Sequence, residues 1–143
     1  MNKARLVIAA GLVILFSLVI GMVDYGRCDS LQIINSRIRV QVVDGKKQIS
    51  IEPATIKLVK GGVVIWFNAA PTEEIRVIFE EGKRCQELTS PSRHFNLEAS
   101  CYVASWVGSN ETTVLKFNES GTFKYTVQTP DGVEAQGEVV VSP

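Results

Sequence analysis

The sequence predicts an all-β domain, an antiparallel Greek-key β-sandwich, preceded by one amino-terminal hydrophobic helix. Three observations carry that expectation. Beyond Asp29 the apolar residues recur with a period of two rather than about 3.6. Turn signals built on Gly, Pro and Asp cut the chain at short intervals. One uncharged apolar run stands at the start, and no long amphipathic pattern follows it.

The apolar run extends from Leu6 to Val23 and ends at Asp24. Lys3 and Arg5 precede it, and the positive-inside bias keeps such residues in the cytoplasm. The rest of the chain is therefore expected outside the cytoplasm, periplasmic or extracellular. A run of about 18 residues fits a spanning helix, which needs about 17–25. It slightly exceeds the apolar core of a cleaved signal peptide, about 7–15. Gly26-Arg27-Cys28 places small residues for a cut before Asp29. The bulky Arg27 makes the same stretch a poor lipidation box. Cleavage and a retained anchor both stay open. On either, residues 1–29 are the export signal or membrane anchor, and residues 30–143 are the sandwich domain.

Within that domain Ile38, Val40 and Val42 alternate with Arg37, Arg39 and Gln41, the pattern of a half-buried strand. Asp44-Gly45 marks a turn. Ile49 and Ile51 alternate next, Pro53 interrupts as a proline at a strand edge does, and Thr55 to Val59 resumes. Lys60-Gly61-Gly62 turns the chain. Val63-Val64-Ile65-Trp66-Phe67 is apolar on both faces and reads as a central strand. Asn68 to Thr72 is a loop and Ile75 to Phe79 another strand. Glu80 to Glu111 lacks sustained periodicity. Strands return at Thr112 to Phe117, Thr122 to Val127 and Glu134 to Val141, separated by Glu119-Ser120-Gly121 and Pro130-Asp131-Gly132. Seven or eight short strands at this spacing imply a sandwich.

Fifteen basic and fifteen acidic side chains cancel in the 143 residues. No basic excess exists to neutralise phosphates, so nucleic acid is not an expected partner. No nucleophile–base pair stands out, and an enzyme is not expected. Glu73-Glu74 and Glu80-Glu81 are carboxylate pairs at strand ends, where solvation explains them. Asn110-Glu111-Thr112 and Asn118-Glu119-Ser120 match the glycosylation pattern.

The paired strands from Pro53 to Asn68, the segment Gly121-Thr122-Phe123-Lys124-Tyr125-Thr126-Val127 and the closing Gly137-Glu138-Val139-Val140-Val141 together resemble the cupredoxin family of β-sandwiches. The resemblance covers about Ile51 to Val141. It implies a copper site of two histidines and one cysteine, commonly with an axial methionine. Here the first histidine position falls near Glu74 or Ile75, the cysteine position at Val127, the second histidine near Pro130 or Asp131, and the methionine near Val133. The chain has one histidine, and Met1 and Met22 both lie in the export segment. A His₂Cys centre cannot be assembled from one chain, and no cofactor is expected.

Three side-chain groups remain. Cys85 and Cys101 bracket the irregular stretch, and in an exported protein a disulfide between them is the expectation. Cys28 is odd and sits at the membrane boundary. With His94 between them, the two cysteines form an alternative metal- or redox-active set, Cys85, His94 and Cys101. Trp106 lies near the second cysteine and is read either as packing on the disulfide or as an interaction surface. The sequence thus supports a copper-free binding or structural module, anchored at or exported across a membrane, with a protein partner it does not identify.

Overall fold

The alternation between Ile38 and Val42 belongs to a longer strand in the computed structural model, which describes residues 30–143. The run Leu6–Val23, the helix expected there and Cys28 lie outside the described residues. β1 (Ile33–Val43) pairs antiparallel with β2 (Lys46–Glu52). Asp44 and Gly45 join them with φ of 51° and 76°, the left-handed backbone that a tight hairpin needs and that these two residues tolerate. β3 (Thr55–Val59), β4 (Val63–Asn68) and β5 (Arg76–Phe79) follow. A short helix α1 (Gly82–Leu88) leads to β6 (Phe95–Glu98) and β7 (Cys101–Ala104), then β8 (Thr112–Lys116), β9 (Gly121–Gln128) and β10 (Glu134–Ser142).

The strands form two facing sheets, ordered β2-β1-β4-β8 and β3-β10-β9-β5-β7-β6. The expected sandwich is present, but its sheets are mixed. β1 and β4 run parallel, as do β3 and β10. The reason lies at Pro53. The chain leaves the first sheet there and enters the second without reversing, a bend by which one strand serves both layers. The turn at Lys60-Gly61-Gly62 then returns β4 beside β1 in the same direction.

The stretch from Glu80 to Glu111 is more regular than its sequence suggests. Its strand β7 has Tyr102, Val103 and Ala104 buried in succession, so no alternation marks it. Helix α1 is too short to show a helical period. Gly82 opens it against the β6–β7 turn, where its N–H donates to Ser100 O at 2.9 Å. A Cβ at that position would fall 2.6 Å from the same oxygen.

Trp66 fills the space between the sheets. Its ring meets Tyr125 edge-on at 5.5 Å and Phe79 at 5.9 Å between centroids, geometry favoured by the aromatic quadrupoles. Gly137 pairs with Tyr125 across β9 and β10. A Cβ there would stand 2.5 Å from Tyr125 Oη, so the missing side chain makes room for the tyrosine. Strand direction defines two ends. The amino-terminal end holds Ser30, the β3–β4 turn and α1. The loop end holds the β1–β2 turn and the loops after β4, β7 and β9.

Candidate functional site

The loop end is built around Asn68, the last residue of β4, which is fully buried. Its Nδ2 donates to the carbonyls of Glu73, Val107 and Gly108 at 2.8, 2.9 and 3.1 Å, and its Oδ1 accepts from the Ala70 N–H at 3.0 Å. One amide thus ties the loop after β4 to the loop after β7. The two loops also exchange backbone hydrogen bonds between Ile75 and Val107, at 3.0 and 2.8 Å.

A lysine closes the same end from the other side. Lys47 Nζ, on β2, contacts Glu73 Oε1 at 2.8 Å and Asp131 Oδ2 at 2.7 Å. The Thr129 hydroxyl donates to the other Asp131 oxygen. The hydrogen bond from Lys47, reinforced by Thr129, holds the Asp131 carboxyl below its ordinary range. The bonds to Asp131 and Glu73 hold the Lys47 ammonium above its own. A carboxyl depressed in the folded state contributes stability above its unfolded pKa and loses it as pH falls through the folded value. The raised lysine acts only at the alkaline limit. Lys47→Met should therefore flatten the acid side of the stability profile. Urea midpoints taken between about pH 5 and about pH 2 should fall less in the variant than in the wild type. Parallel profiles would show that the clasp contributes nothing.

Each position that the copper resemblance points to can now be located. Ile75 is fully buried and bonded through its backbone to Val107. Val127 is fully buried in β9, paired with Val77. Asp131 is held by Lys47, and the Val133 backbone closes the turn to Thr129. Three hydrocarbon side chains and one engaged carboxylate offer no thiolate or imidazole, nor do the neighbouring Glu74 and Pro130, so these residues do not fit a blue-copper ion.

The described residues form a β-sandwich of two mixed sheets. The sequence matches no family model and no curated protein. Solved structures similar to it include variants of amicyanin. One, in a Cu(I) form, is 18% identical with a TM-score of 0.47, covering 80% of this chain and 84% of that chain. An oxidised variant is 17% identical at 0.44, with the same coverage.

The structure does not bring Cys85, His94 and Cys101 together. Among the described residues no cluster of His, Cys, Asp and Glu is placed to hold a metal. Phe95 pairs with Ala104 and Glu98 with Cys101, so His94 and Cys101 lie at opposite ends of the β6–β7 hairpin. Four steps of a strand separate their levels by about 13 Å. The bridge expected between Cys85 and Cys101 is not formed, and both are free thiols. Cys85 belongs to the core cluster with Tyr102. Cys101 precedes Tyr102 in β7, and strand alternation turns it to the other face. Thiols directed apart cannot join without moving the backbone.

Burial pushes the Cys85 thiol up to about 12, against a small opposing pull from Arg84. A thiol that stays protonated reacts slowly. Iodoacetamide applied to native protein should modify Cys101 first and reach Cys85 only on unfolding, as peptide mass mapping would show. Equal rates at both would contradict this burial.

Trp106 is not near the cysteines. It sits at the loop end, 41% exposed, with the Arg76 guanidinium 4.8 Å from its ring centroid. Arg76 is itself fixed by Gln128 Oε1 at 3.0 and 2.7 Å. Trp106 and His94 share a shallow cleft with Asn110 and Glu111. The acidic pairs are divided between structural contacts: Glu73 holds Lys47, and Glu81 holds Arg84. Sequence reading missed Asn68, Lys47 and Arg76. An Asn at the junction of a strand and a loop was the one available signal.

Proposed function

We propose that this chain is an exported β-sandwich held at the outer side of a membrane, where it serves as a binding or structural module and does not use copper. The observation that carries the reading is the closed loop end. The positions at which the resemblance would set copper ligands are given to core packing at Ile75 and Val127 and to the Lys47–Asp131 clasp. The protein partner is read at Trp106. A half-exposed indole fixed under a guanidinium offers a rigid aromatic anchor of the kind that concentrates binding energy. Export and membrane location rest on Lys3, Arg5 and the run Leu6–Val23.

Protease added to intact spheroplasts should digest or clip the folded domain. Sequencing the mature amino terminus would separate a start at Met1 from one near Asp29. A reporter fused after Pro143 that works only in the cytoplasm would overturn the reading.

A further inference from the structure

The outward face of the four-stranded sheet carries an apolar patch. Register sets Ile33 beside Val63 and Lys116, Asn35 beside Ile65 and Val114, and Arg37 beside Phe67 and Thr112. The inward side chains of these strands, among them Ile38, Val64, Trp66 and Leu115, fill the core. Ile33, Ile65, Phe67 and Val114 therefore share the outer surface, with Ile33 50% and Val114 37% exposed. Most outward strand faces in a sandwich alternate to polar residues; here Asn35 is the one polar residue in the central row, beside Ile65 and Val114.

Charged residues stand at the margins. Arg37 and Lys116 flank the apolar residues and form no ion pair among the described residues, while Glu52, opposite Arg37 on β2, pairs with Arg39 at 3.0 Å. The patch also has a position. Its lowest row, Ile33, Val63 and Lys116, lies at the amino-terminal end of the sandwich. Nine residues, Asp24 to Gln32, separate β1 from the end of the apolar run. At about 3.3–3.6 Å per residue they reach no further than about 30 Å. A chain anchored by that run keeps this face within reach of the bilayer.

We infer that the outer face of the β2-β1-β4-β8 sheet rests on the surface of an anionic bilayer, with Ile33, Ile65, Phe67 and Val114 entering the interface and Arg37 and Lys116 meeting the lipid headgroups. Apolar area and basic charge together are what interfacial attachment requires. A second copy of the chain is a poorer occupant, because two such faces would bring the like charges of Arg37 and Lys116 together. The inference rests on the anchored reading above.

The test uses the full chain in nanodiscs, with Cys28 and Cys101 replaced by Ser and an environment-sensitive NBD probe on V114C. In phosphatidylcholine mixed with phosphatidylglycerol, the probe emission should shift to the blue and be quenched by doxyl-labelled lipid. A probe on K124C, on the outer face of the other sheet, should show neither effect. Charge reversal at R37E with K116E, or discs of phosphatidylcholine alone, should return the V114C probe to its aqueous spectrum. An aqueous spectrum in the anionic discs would overturn the inference. So would a blue shift seen only when two copies share a disc, which would assign the face to self-association. If the full chain never incorporates into discs, the anchored reading falls first and this inference with it.

Discussion

Asn68→Asp should destabilise the domain by about 3–5 kcal/mol, the usual cost of leaving a buried charge uncompensated. The change is nearly isosteric, so volume does not explain the loss. The amide nitrogen points at three carbonyl oxygens, those of Glu73, Val107 and Gly108. A carboxylate oxygen in its place meets three acceptors with no donor. The Ala70 N–H, which now bonds Oδ1, can satisfy one oxygen only. Asn68→Ala should cost less, roughly 1–3 kcal/mol, because it removes the hydrogen bonds without adding charge. The aspartate penalty should also depend on pH. Surroundings that disfavour its ionised form raise its folded pKa above the unfolded value. The introduced carboxyl's own penalty is then smallest below the unfolded pKa, near about 4, and grows as pH rises. Chemical denaturation at acid and neutral pH would measure both terms. Hydrogen exchange should speed first in the loops around Glu73 and Val107, since Asn68 is what joins them. An aspartate variant as stable as the alanine variant at neutral pH would refute this assignment of the amide.

Strands β4, β9 and β10 were legible because their side chains alternate or fill a wholly apolar run, and such patterns survive without knowledge of neighbours. The corner at Pro53 was not. A proline that interrupts an edge strand and one that carries a strand between sheets look alike in sequence, and only the second makes β1 and β4 parallel. β7 was hidden because it lies between β5 and β6 and is buried for three residues in succession. Which residues stand where the resemblance would set copper ligands could be read, because that takes only residue identity counted from Asn68 and from Tyr125. The loop end could not. Asn68 acts on backbone carbonyls as far as 40 positions away, and Lys47 on a carboxylate 84 positions away. No local pattern records such pairings. The cysteines failed for a different reason: counting residues between them gives a loop length, but not the strand face to which each thiol points.

Trp66→Ala should cost about 3–5 kcal/mol, the range for truncating a large aromatic in a core. For a small domain whose whole stability is about 5–15 kcal/mol, that loss alone brings the fold close to its limit. Trp66 warrants the upper part of the range. It is fully buried, and from its own sheet it meets three rings of the facing six-stranded sheet, those of Phe79, Phe95 and Tyr125. These neighbours sit on separate strands, so no single shift of backbone closes the cavity. Trp66→Phe should behave differently. The indole Nε1–H makes no well-aligned hydrogen bond among the described residues, although the Tyr125 hydroxyl lies near it, and an unmatched buried donor costs about 1–3 kcal/mol. Phenylalanine removes that donor while keeping most of the ring, so relief of the polar penalty offsets the smaller volume. The phenylalanine variant should lie within about 1 kcal/mol of the wild type. Urea unfolding followed by far-ultraviolet circular dichroism would order the three proteins, and Trp106 remains as a fluorescent reporter in both variants. A phenylalanine variant as unstable as the alanine variant would mean that the indole nitrogen holds a hydrogen bond on which the core depends.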